Sequence, residues 1–103
     1  MTDLEITRLC ALALHGGFNP VRLGNSETGE LVRYECKGEK FDPLHDDAQA
    51  MALVKKFHIA LGWNPGWAAF RQDTKKWVYA GDGTVNRAIC LCVAKMQQAK
   101  VAA

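Results

Sequence analysis

Apolar positions recur along this chain with two different periods, and the places where the period switches mark its elements. Ile6, Leu9, Cys10 and Ala13 fall at helical spacing behind Thr2-x-x-Glu5, and Gly16-Gly17 follows them. A hydroxyl and a carboxyl at that spacing cap free backbone N–H groups, and a glycine pair stops the turn, so a first helix is predicted over about 2–15. From Phe18 to Gly38 the pattern is extended. Val21-Arg22-Leu23 and Leu31-Val32-Arg33-Tyr34-Glu35 read as strands around the polar turn Gly24 to Gly29. In the second strand Leu31, Arg33 and Glu35 alternate with Val32, Tyr34 and Cys36.

A second helix has two possible starts, Asp42-Pro43 as N-cap and first helical residue or Asp46-x-x-Gln49 as a capping box one turn later; the second is favoured, with Asp42-Pro43 as a turn before it. Ala50, Leu53, Val54, Phe57 and Leu61 form its stripe, with Lys55 and Lys56 off it; Gly62 ends the helix and Pro65 prevents a restart. A hairpin is predicted next, Trp67 to Gln72 and Lys76 to Ala80 flanking Asp73-Thr74-Lys75. Gly81-Asp82-Gly83 then leads into Thr84, the N-cap of a last helix to about Gln98 with the stripe Val85, Ala88, Ile89, Cys92 and Met96. Leu91 and Val93 widen that stripe, so this helix is either buried on more than one side or part of a dimer interface. A homodimer packing the last helix, or an aromatic strand edge, across a two-fold axis is expected. The order is α-β(β)-α-β-β-α. The fold class is α+β: one domain over 1–103, with a small antiparallel-containing sheet of three or four strands between helices in α-β-α layers.

Composition narrows the function. The 103 residues suffice for one core, and a net charge of +2 is too small to imply a nucleic-acid or membrane partner by bulk electrostatics. No apolar run approaches the ~20 residues of a membrane helix. Asp3 and Glu5 stand where a secretory signal carries basic residues, so a cytoplasmic protein is expected. Cys10, Cys36, Cys90 and Cys92 lie in apolar surroundings without a zinc or disulfide spacing. Cys90 and Cys92 would point about 200° apart around a helix, so free core thiols are expected.

Phe41-Asp42-Pro43 with Asp46-Asp47-Ala48 and Leu53-Val54-x-x-Phe57, the Trp67 and Trp77 strand pair, and Ala88-Ile89-Cys90-Leu91 span roughly the C-terminal two thirds of the chain. In these core and cap positions it resembles the small phage and prophage proteins with the phage ABA sandwich domain. The resemblance implies an α/β/α layered fold and a phage origin, hence the host cytoplasm as location. The family has no agreed catalytic residues, so it assigns none.

Three constellations carry candidate chemistry. His45-Asp46-Asp47 with Asp42 gathers three carboxylates and an imidazole, as a divalent-cation site does, yet acids at a helix start also satisfy free N–H groups, and the spacing matches no calcium loop. Gly81-Asp82-Gly83-Thr84 opens a helix as a phosphate-binding turn does, but lacks the P-loop lysine and places Asp82 in its mouth. Trp63, Trp67, Phe70, Trp77 and Tyr79, interleaved with Arg71, Lys75 and Lys76, form either a stacking platform or the bulk of a core. Strand parity places Trp77 and Tyr79 on one face and Val78 and Ala80 on the other, and a sheet covered on both sides is expected. No nucleophile has an adjacent base, and His15, His45 and His58 match no catalytic pattern. The expectation is a non-enzymatic binding protein without cofactor or metal. It would block or sequester a host component, a protein or a nucleotide-like signal, through Trp63, Trp67, Arg71, Trp77, Tyr79 and Asp82. The alternative is a small nucleic-acid-binding module that uses the aromatic and basic hairpin.

Overall fold

The computed structural model describes residues 1–25, 29–63, 66–71, 76–79 and 83–102. Thr2 caps α1, Asp3–His15: its hydroxyl accepts the Glu5 N–H at 3.2 Å. Gly16, at φ 74°, closes the helix with its N–H on the Leu12 carbonyl, a left-handed position that glycine takes without steric cost. β1, Asn19–Arg22, is followed by a 3-10 turn at Leu23–Asn25 and pairs antiparallel with β2, Leu31–Cys36. A strand the periodicity did not signal follows. β3, Glu39–Phe41, folds back on β2 across Lys37 and Gly38, at φ 55° and 79°. Two positive φ angles in a two-residue loop are the hairpin geometry whose twist matches that of the strands.

Asp46 caps α2, Asp47–Phe57, by accepting the Gln49 N–H at 3.1 Å. The Gln49 side chain does not complete the box. Its Oε1 accepts the Asp42 N–H at 2.6 Å and its Nε2 donates to the Lys40 carbonyl at 2.8 Å, tying the end of β3 to α2. The helix does not run on to Leu61 as its stripe suggested. His58 turns left-handed at φ 53°, and Ile59–Trp63 is β4. Ile59 and Leu61 satisfy helical and strand spacing equally; pairing with a neighbouring strand decides between them. That neighbour is β5, Trp67–Arg71, which also pairs with β6, Lys76–Tyr79. These are the two expected hairpin strands. The turn read at Asp73-Thr74-Lys75, together with Ser26 to Thr28, Pro65, Gly81 and Asp82, lies outside the described residues. Thr84 caps α3, Val85–Ala102, its hydroxyl accepting the Arg87 N–H at 3.2 Å.

The architecture is α+β. The strands β3 and β4 change its layout, because the chain builds two three-stranded antiparallel sheets, β1-β2-β3 and β4-β5-β6, in place of one sheet of three or four strands. α3 packs on α1, on α2 and on the second sheet, while β2 rests on α1. Ile6, Cys10, Leu53, Cys90 and Val93 are among the largest fully buried side chains. Ala88, Ile89, Cys90, Cys92, Val93 and Ala94 are all buried within the chain, so the wide apolar arc of α3 is covered by its own neighbours. The helix starts are also tied together at the surface. Arg87 meets Asp3 at 2.7 Å, and the Asn86 amide donates to Asp47 at 2.8 Å. Among the described residues no helix is long and apolar enough to cross a membrane.

Candidate functional site

The second sheet has two unlike faces. Residues directly opposite in antiparallel strands share a face. Ile59 opposite Arg71 and Arg71 opposite Lys76, Leu61 opposite Ala69 and Ala69 opposite Val78, and Trp63 opposite Trp67 form one of them. This face looks inward: Ile59 and Ala69 are buried, and Trp67 and Val78 pack against the core. The other face carries Ala60 opposite Phe70 and Phe70 opposite Trp77, then Gly62 opposite Ala68 and Ala68 opposite Tyr79. It looks outward, with Trp77 45% and Tyr79 62% exposed. The expectation of a sheet covered on both sides is corrected here, because helices pack on one face and, among the described residues, none covers Trp77 and Tyr79 on the other.

Small residues shape that outer face. A Cβ at Gly62 would come within 3.1 Å of Cζ3 and Cη2 of Trp77. Gly62 lies two strands from Trp77, so the indole spans β5 and rests over the far strand. Ala68, which faces outward beneath it, is only 3% exposed. Phe70 braces the same indole from behind, the ring centres 5.0 Å apart and tilted by 38°. Trp63 belongs by parity to the inner face, but it ends the edge strand β4 and is 65% exposed. Its ring stands edge-on to Trp67 at 5.4 Å and lines, with Gly62, Ala68, Trp77 and Tyr79, a groove of about 310 Å³.

The expected binding residues therefore separate. Trp63, Trp77 and Tyr79 converge on one groove, while Trp67 holds Trp63 from the core side. Arg71 lies on the inner face, its guanidinium 5.8 Å from the centre of the Phe57 ring, so it does not join the outer aromatics. Asp82 lies outside the described residues. Gly62 and Ala68, the floor, were not singled out from sequence. The available signal was that small residues occupy the parity of Trp77 and Tyr79.

The acidic cluster before α2 is used structurally. Asp46 caps the helix, Asp47 accepts from Asn86, and Asp42 holds His45 Nδ1 at 2.9 Å with Lys40 Nζ at 3.9 Å. Among the described residues no three His, Cys, Asp or Glu side chains are placed to share a metal ion. Asp42 and His45 line a second groove of about 300 Å³ between α1 and the first sheet, with Arg33 and Lys40 also on its wall. All four cysteines are buried thiols. Interaction with the Cys90 side chain and then burial push the Cys10 thiol far above its ordinary range, and burial raises Cys36 against the opposing effect of Lys37. The thiolate is the reactive form, so neither sulfur is poised as a nucleophile.

No family model, curated protein or solved structure matches the chain.

Proposed function

We propose that the protein is a non-enzymatic binding protein whose working surface is the outer face of the β4-β5-β6 sheet. In keeping with the resemblance to small phage proteins, it blocks or sequesters a component of the host cell. The convergence of Trp63, Trp77 and Tyr79 on one groove, each close to half exposed or more, carries this reading. Aromatic side chains bury on the order of 150–250 Å² each, and half of that area on three rings represents roughly 6–9 kcal/mol of apolar burial open to a partner. The cost of association absorbs much of it. A ligand that fills only this groove therefore binds at about micromolar strength or weaker, and tighter binding needs contacts beyond it. The described lining residues present π faces and include no acid–base pair and no activated nucleophile, which suits stoichiometric capture rather than turnover.

The test is affinity capture from host lysate with the wild-type chain and with the Trp77→Ala/Tyr79→Ala double variant, read by native mass spectrometry. A component retained at fixed molar ratio by the wild type and lost by the folded variant supports the reading. Equal retention by both overturns it.

A further inference from the structure

We propose that the groove between Trp63, Trp77 and Tyr79 is a stacking site for one planar heteroaromatic ring, recognised by its face and not through charge. The inference rests on the outer sheet being the working surface, and adds what that surface takes. Shape comes first. The indole of Trp77 reaches across β5 to the backbone of Gly62 and covers Ala68, so it lies along the sheet as a platform instead of standing as the wall of a cage. A platform suits a flat ring, whereas an ammonium group needs aromatic faces turned toward it from several sides. The volume, about 310 Å³, is at the small end of ligand sites and admits a small ring system, not a folded segment.

Polarity narrows the class. The side-chain polar groups on the described lining are the Tyr79 hydroxyl and the indole N–H groups of Trp63 and Trp77. These can donate to ring nitrogens or exocyclic carbonyls, which favours a heterocycle over a plain hydrocarbon ring. The described lining residues carry neither a carboxylate nor a cation, which favours recognition through the face of a ring. Arg71, next to Phe70 in sequence, faces the core over Phe57. Preorganisation completes the case. Trp67 holds Trp63 edge-on, and Phe70 holds Trp77, so little side-chain freedom remains to be lost on binding.

The probes are adenosine, adenosine monophosphate, choline and a short deoxyadenosine oligomer. The readout is the three indole N–H resonances in a nitrogen-edited spectrum, one for each Trp of the chain. Adenosine and its monophosphate should shift the Trp63 and Trp77 signals with affinities within about twofold of each other, and hold them between about 50 and 500 mM salt. Gly62→Val, which drives a side chain into the Trp77 ring, and Trp63→Ala, at the exposed strand end, should each weaken adenosine by about tenfold or more. Trp63→Ala keeps the test valid if Gly62→Val does not fold. Oligomer binding about tenfold tighter than adenosine assigns the ring to a nucleic-acid strand, and equal binding assigns it to a free ligand; both keep the inference.

Several results overturn it: unmoved Trp63 and Trp77 signals, choline binding in place of adenosine, or a monophosphate that outbinds adenosine with a steep salt slope. A dimer by light scattering that Tyr79→Lys splits, with no adenosine binding, also overturns it by placing a second copy on this face. If adenosine fails while lysate capture still depends on Trp77 and Tyr79, the ligand class is wrong and the surface stands. If both fail, the surface falls with it.

Discussion

Replacing Leu53 with Ala tests whether α2 sits in the register described. Leu53 is 0% exposed in the cluster shared by all three helices, whereas Phe57, one turn later on the same stripe, is half-buried with the Arg71 guanidinium over its ring. Truncating a fully enclosed Leu removes three carbons at about 0.8 kcal/mol each and leaves a cavity, so a loss of about 3–4 kcal/mol is expected. A domain of this size is stable by roughly 5–15 kcal/mol, and the variant should remain folded in buffer. Urea titration followed by far-ultraviolet circular dichroism should move the midpoint down by about 1–3 M with little change in slope. Leu53→Asp, which adds a charge without a partner, should not fold. Phe57→Asp should be milder, because its carboxylate meets Arg71 at a partly solvated site. Sequence periodicity treats the two positions as equivalent, so their separation is a structural prediction. A Leu53→Ala loss below about 1 kcal/mol, or a Phe57→Asp loss as large as that of Leu53→Asp, would refute the packing.

Two further perturbations follow from local geometry. The four buried thiols should resist a disulfide reagent in the native protein and react together on unfolding. Because Cys10 and Cys36 are raised in the folded state, the unfolded chain releases their protons first. Stability should therefore be complete below the unfolded thiol value near 9.0 and fall as pH rises above it, by up to about 1.4 kcal/mol per pH unit for each thiol so raised; a flat profile between pH 8 and 10 would contradict this. Gly38→Ala, at φ 79° in the β2–β3 turn with open space around it, should cost about 1 kcal/mol through backbone conformation alone. An unchanged thermal midpoint would remove the hairpin.

Helix starts were legible because they rest on local chemistry: Thr2, Asp46 and Thr84 each accept a backbone N–H three residues on, at the positions their spacing indicated. The end of α2 was not, since Ile59 and Leu61 fit both periods and only the pairing of Ile59 with Arg71 and Leu61 with Ala69 selects the strand. β3 was hidden by its length of three residues, although Lys37-Gly38 carried a turn signal. At the site, parity correctly set Trp77 and Tyr79 against Val78, but which face meets the core depends on where α3 packs. The same holds for α3 itself, whose apolar arc fits burial within the chain as well as burial in a dimer. Arg71 fails as an outer-face residue for a related reason: its parity follows Ala69 and Trp67, and its long side chain finds Phe57 beneath the sheet.

The two faces of the second sheet are separated most directly by a crossed comparison of neighbouring residues, Val78→Ala and Tyr79→Ala, each measured for thermal midpoint and for capture of the retained host component. Val78 packs on the core and Tyr79 lines the outer groove. Val78→Ala should lose about 1–2 kcal/mol of stability and keep capture while folded. Tyr79→Ala should keep the midpoint within about 0.5–1 kcal/mol and lose capture. A Tyr79→Ala protein that captures as the wild type does would contradict the assignment of function to this face.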